Sequence, residues 1–148
     1  MSIDQLTDRE VIALTLWGEA RSLNVEGRVA VASVIANRVR DGRYGNGWRG
    51  VCLRKAQFSC WFPKGGLKNY QMMMERVDVL TAKTPPTILD SALRECLWIA
   101  DGLMAKAVQD RVYGATHYYH ESIPAPKWAQ GKSPVTKVEG HLFFVNVD

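Results

Sequence analysis

Residues 24–39, NVEGRVAVASVIANRV, constrain the fold more than any other segment. A helix is expected to start near Asn24 and run to Val39. Its apolar residues form a Val25, Val29, Ala32, Ala36 stripe and a Val31, Val34, Ile35 group. A helix apolar over most of its girth must be covered on most sides. A chain of 148 residues can do this as one domain, 1–148, burying about two-thirds of the surface its unfolded form exposes. Asp41-Gly42 ends the segment.

A second helix precedes it. Thr7-Asp8-Arg9-Glu10 has the spacing of a capping box, and VIALTLWGEA follows with Ile12, Leu16 and Glu19 on one face. Residues 41–50, DGRYGNGWRG, hold four glycines and read as a loop. A short helix is expected over 51–56, a loop over 57–66 and a helix over 67–81, stopped by Thr84-Pro85-Pro86. Thr87 and Asp90 have capping-box spacing and open a helix to Val108, with Leu93, Leu97, Ala100 and Met104 inward. Residues 123–126 are extended. Residues 135–138 and 141–147 pair as a hairpin around Glu139-Gly140. Helices first and a small C-terminal sheet last make a mostly helical α+β fold.

The longest uncharged stretches, 29–37 and 112–120, have nine residues each, against the roughly 20 apolar residues of a membrane-crossing helix. The opening MSIDQLTDRE lacks the basic start and apolar run of a secretory signal. Cys52, Cys60 and Cys96 cannot all pair and read as reduced thiols, a Cys52–Cys60 bridge being the alternative. The net charge of +4 is concentrated. From Arg38 to Lys68, eight basic residues stand against one acid, Asp41, a net +7. Such a stretch either attracts an anionic partner (nucleic acid, an anionic membrane surface or a wall polymer) or is a solvated face.

Glu19 is the strongest candidate for chemistry. A carboxylate on an apolar face is costly when ionised, and the end of its helix carries negative dipole charge. Both effects raise its pKa, the condition for a general acid near neutral pH. Gly18 and Ala20 are small and would leave room for a substrate. The alternative is a structural Glu paired with Arg21, Arg28 or Arg38.

The uncharged run Gly114-Ala115-Thr116-His117-Tyr118-Tyr119-His120 offers donors and aromatic faces to a sugar, or is an ordinary strand with satisfied polar tips. Trp48, Trp61, Phe62 and Trp128 fall in Gly- or Pro-containing segments, where they stack on a ligand or pack onto the core. His117-x-x-His120 has no third ligand at metal spacing, so no metal is expected. A metal-dependent amidase using His117, His120 and His141 is the rival enzymatic reading. Phosphate-loop, G-x-S-x-G and H-E-x-x-H motifs are absent, no cofactor is expected, and no histidine spacing marks Cys60 as a nucleophile.

Residues 14–39, LTLWGEARSLNVEGRVAVASVIANRV, resemble the opening signature of the spore-cortex-lytic (SleB-like) type of bacterial and phage cell-wall hydrolase. QFSCW (57–61) resembles the second block of that family. GATHYYH (114–120), PAPKWA (124–129) and GHLFFV (140–145) resemble its later blocks, in order. The resemblance implies a lysozyme-like fold and cleavage of peptidoglycan glycan strands between N-acetylmuramic acid and N-acetylglucosamine. It implies Glu19 as the catalytic acid. Gln57, Ser59, Trp61, Thr116, His117, Tyr118 and Tyr119 are the expected substrate-binding residues. His120 departs from the family, where Asn is frequent. Lytic transglycosylation is the favoured outcome. A muramidase would need a second carboxylate, for which Glu26, Asp110 and Glu121 are nominees. A non-catalytic binder of anionic polymer or wall is the reading from another class. The expected partners are glycan strands and anionic wall polymers, with no nucleic acid and no membrane insertion, and nothing demands more than a monomer. The size resembles phage lysis proteins made in the host cytoplasm and released to the wall.

Overall fold

The computed structural model describes residues 2–84 and 89–148. Helix α1 (Asp8–Ala20) opens on the expected box: the Thr7 hydroxyl accepts the Glu10 amide at 3.2 Å, and Glu10 Oε1 accepts the Thr7 amide at 2.8 Å. No charge stands between Glu10 and Glu19, and Val11 to Trp17 are all buried. This makes α1 the enclosed helix of the molecule. Helices α2 (Val25–Asp41), α3 (Gly47–Cys52), α4 (Leu67–Thr81) and α5 (Ser91–Met104) all pack on it. Its one buried polar side chain is satisfied: Thr15 donates to Val11 O and accepts from the Trp61 indole at 2.9 Å.

Helix α2 begins where Asn24 accepts the Gly27 amide and ends at Gly42, which takes the left-handed φ of 84° of a C-terminal cap. It lies between two cores. Val31, Ala32 and Ile35 join the core around α1, while Ala30 and Val34 meet Val112, Ala115 and Phe143.

Several boundaries differ from the sequence reading. Helix α3 starts inside the stretch expected as loop and ends early in the expected 51–56 helix. The glycines there permit close approach rather than looseness: a Cβ on Gly45 would lie 2.4 Å from the Gly50 carbonyl oxygen. Helix α5 is capped by Asp90, whose carboxylate accepts the Leu93 amide at 2.7 Å. The expected stop and cap at Pro85, Pro86 and Thr87 fall outside the described residues. The helix stops at Met104 rather than Val108 because the chain turns at Lys106, φ 58°, and Met104, expected inward, is exposed.

The C-terminal part forms a three-stranded antiparallel sheet in the order β1-β3-β2, from β1 (His117–His120), β2 (Thr136–Val138) and β3 (His141–Phe144). Strand β3 is shorter than the expected 141–147. The donor-rich segment supplies its other neighbour, β1, with Tyr118 opposite Phe143 and Tyr119 opposite Leu142. Glu139 and Gly140, at φ 46° and 78°, make the tight β2–β3 turn. The Glu139 carboxylate also accepts the Asn24 amide, tying the sheet to the start of α2. Cys52, Cys60 and Cys96 are free and buried, so the Cys52–Cys60 bridge does not form.

Candidate active site

Glu19 sits in the last turn of α1, where the helix emerges from its core. Gly18 sets what can approach it. A Cβ at position 18 would lie 2.6 Å from Cys60 Cβ and 2.7 Å from Met73 Sδ. The room expected beside the acid is thus filled by protein: Gly18 admits Cys60, and Ala20 is fully buried. The close approach brings the backbone of 59–61, a single 3₁₀ turn, onto the carboxyl group.

The Cys60 amide donates to Glu19 Oε2 at 3.2 Å, and the Tyr118 hydroxyl donates to Oε1 at 3.2 Å. One oxygen is therefore held from the 57–61 segment and the other from β1. Burial raises the Glu19 pKa above the ordinary carboxylate value. The Cys60 and Tyr118 hydrogen bonds and the charge of Arg38 oppose that rise without cancelling it. Burial and the neighbouring carboxyl also keep the Tyr118 phenol protonated, its pKa well above the usual value. The structural-pairing alternative fails. Arg21 donates to Asn69, Arg28 pairs with Glu95 at 2.8 Å, and Arg38 donates to Thr116 O and Gln57 Oε1. Among the described residues, Glu19 makes no ion pair.

The expected binding residues divide into groups. Tyr118 touches Glu19. Gln57 is half-buried and accepts from Arg38 at 3.1 Å; Ser59 is exposed one residue before Cys60. Thr116 is buried, with its hydroxyl 3.0 Å from His117 Nδ1 and accepting from the Tyr44 hydroxyl. Trp61 does not face a sugar: it is 3% exposed and its indole N–H is spent on Thr15. Tyr119 and His117 point away from Glu19, because side chains alternate along β1. Tyr119 stacks on Phe144 at 5.7 Å between centroids, and His117 lies between Tyr44 and Trp128. Burial first, then the charges of Arg38 and Arg43, lower the His117 pKa to about 4.

The same alternation separates the histidines of the amidase reading. His120 and His141 rings are 4.9 Å apart on one face of the sheet, and His117 is on the other. The three do not converge on one ion.

Among the described residues, two of the open clefts on the surface bear on the site. The larger, about 530 Å³, holds Glu26 and Asp110 beside the exposed Tyr113. The smaller, about 260 Å³, is lined by Arg43, Tyr44, Arg54, Gln57, His117 and Asp148. Glu19 lines neither, although it is half-buried rather than sealed. The larger cleft is also lined by Val29. Arg38 follows Val29 by nine residues, about two and a half turns, and so projects from the opposite side of α2. Asp110 caps the amides of Val112 and Gly114, and Glu121 lies 3.6 Å from Lys137. None of the three nominated acids touches Glu19.

The basic stretch is likewise not one solvated face. Arg38 is buried, Arg43 pairs with Asp41 at 2.7 Å, and Arg49 binds the carbonyls of Ile3 and Leu6. The sequence reading missed the role of the Cys60 backbone, having weighed that residue only as a thiol. The small residue at Gly18 was the available signal. No described helix is long and apolar enough to cross a membrane.

The family model described as cell wall hydrolase matches residues 23–144. That span starts four residues after Glu19. Comparison with curated proteins gives no match. Among solved structures, the chain is similar to the catalytic domain of the germination-specific lytic transglycosylase SleB from Bacillus anthracis. The TM-score is 0.58 at 24% identity, covering 97% of this chain and 95% of that one. The likeness establishes the mostly helical, lysozyme-like α+β fold.

Proposed function

Because the chain belongs to the cell wall hydrolase family, we propose that it cuts the glycan strands of peptidoglycan with Glu19 as general acid. One observation carries the reading: Glu19 is a carboxyl group whose pKa burial raises, held by two donors and paired with no cation among the described residues. Burial of this kind favours the protonated carboxyl, the form that has a proton to give.

The bond cut lies between N-acetylmuramic acid and N-acetylglucosamine. Glu19 protonates the glycosidic oxygen as the bond to the muramic C1 breaks through an oxocarbenium-like state. The carboxylate left behind then takes the proton of the same sugar's 6-hydroxyl, whose oxygen closes on C1. The product is a 1,6-anhydro sugar, and Glu19 ends protonated. This transglycosylase course is favoured over hydrolysis because a glycosidase of the usual kind has a second carboxylate about 5–9.5 Å from the acid. Of the nominated acids, Asp110 is spent on the amides of Val112 and Gly114 and Glu121 lies beside Lys137, while the full charge among the main causes of the Glu19 shift is that of Arg38.

Tyr118 orients the acid, while Gln57 and Ser59 flank the Cys60 turn and would meet the N-acetyl groups. In a phage-lysis role, added protein clears living cells once their membranes are permeabilised. Mass spectrometry of peptidoglycan digests tests the reading. Anhydro-ended fragments support it, water-added ends at every cut give a muramidase, and intact strands with bound protein give a binder.

A further inference from the structure

Arg38 is the one buried arginine: it is 6% exposed and has no carboxylate within ion-pair distance among the described residues. An unpaired buried charge is expensive, and folds retain one where its charge or its donors are used. Its donors go to two particular places. Nε donates to Thr116 O at 2.6 Å, two residues before Tyr118. Nη1 donates to Gln57 Oε1 at 3.1 Å, three residues before Cys60. Its guanidinium lies 5.1 Å from the Phe58 ring centroid and 5.3 Å from that of Tyr44, which fixes its plane.

We propose that Arg38 is the positioning residue of the site: one guanidinium clamps the two segments that grip the two oxygens of Glu19, and its charge balances the carboxylate once the proton has left. The proposal rests on the reading of Glu19 as the acid. It extends that reading to the other half of the cycle, when Glu19 must exist as an anion in a buried place.

A neutral brace would hold the segments equally well, so the charge is what needs explaining. An arginine has the fixed fork that suits two acceptors at an angle, and it starts so far above neutrality that it stays charged despite burial. The charge acts on Glu19 in the sense required, favouring the anion. The other titratable groups whose fields meet Arg38 are Tyr44, Cys52, Tyr118 and His117. Cys60 completes the set around Glu19. Burial raises the thiols of Cys52 and Cys60 and the Tyr118 phenol and lowers His117 to about 4, so these four are neutral at pH 7. Arg38 is then the full positive charge among the main influences on Glu19.

The test follows the Glu19 carboxyl by ¹³C NMR titration in R38M and R38K, alongside wall clearing against pH. R38M is expected to raise the Glu19 pKa by at least about half a unit, as loss of a nearby opposite charge requires. The alkaline limb of the clearing profile moves up with it. R38K keeps the charge and loses the fork. Its Glu19 titration stays near that of the parent while clearing falls. An unchanged Glu19 pKa in R38M reduces Arg38 to a neutral brace and overturns the proposal. Should R38M not fold, Gln57→Ala releases one arm of the clamp. A raised Glu19 pKa there, from a loosened Cys60 amide, supports the proposal, and an unchanged one overturns it. The titrations read Arg38 without any turnover, so failure of the acid reading shows separately, as a Glu19→Gln protein that still clears wall.

Discussion

Tyr118 and Tyr119 are neighbours with the same side chain, and they do opposite things. Tyr118 faces the helices and donates to Glu19. Tyr119 faces the other side of the sheet, stacks on Phe144 and meets Trp128 edge-on. Their difference is the period of a strand, two residues per repeat. The lesson concerns motifs. A block such as GATHYYH marks the segment that reaches the site, but backbone alternation selects which of its members touch the chemistry.

The comparison can be broken by removing each hydroxyl in turn. Tyr118→Phe is expected to lower wall clearing about tenfold or more, since a hydrogen bond to a charged group is worth roughly 1.5–3 kcal/mol. Because that hydroxyl lowers the Glu19 pKa, its loss moves the alkaline limb to higher pH. Tyr119→Phe should change clearing by no more than about twofold. Equal losses in the two would erase the distinction between the faces.

Gly18→Ala probes the other oxygen. The added methyl meets Cys60 and Met73 at under 3 Å, and overpacking of this kind costs about 1–3 kcal/mol. Urea denaturation should show that loss, with clearing reduced as the Cys60 amide is pushed from Glu19. Unchanged stability would mean that the 59–61 turn yields freely.

The smallest expected effect is on the far face. His117 is held neutral, with its pKa near 4, below the ordinary 6.5. The unfolded chain takes up a proton there first as pH falls. Its contribution is fully present above pH 6.5 and is lost as the pH drops toward 4. In H117Q, thermal melts over that window should fall less steeply with acidification than in the parent. Parallel curves would contradict the assignment.

Much of this arrangement was legible in the chain. The Thr7–Glu10 box, the start of α2 near Asn24, the Gly42 stop and Glu19 on the inner face of α1 all depend on residues within a turn or two of one another. The sheet pairing of β2 and β3 came from their turn. What escaped depends on distant contacts. Arg38 reaches Gln57 and Thr116, 19 and 78 residues away. Trp61 looked like a loop aromatic and is core, because Thr15 of α1 accepts its indole. The glycines of 45–50 read as part of a loop and instead let two backbones come into contact around a short helix. Local pattern names caps and faces; it does not show which segments close over a carboxyl group.

The central claim is that Glu19 supplies the proton that cuts the glycan strand, and clearing of purified peptidoglycan by Glu19→Gln beside the parent protein tests it most directly. Folding is checked in the same samples. The raised Glu19 pKa means that parent stability is lost as pH rises through it, so the amide should melt no lower than the parent at pH 7. The account predicts a folded Glu19→Gln protein with clearing reduced by at least about a hundredfold, the scale of a general acid. A folded protein that clears peptidoglycan at the parent rate would contradict it.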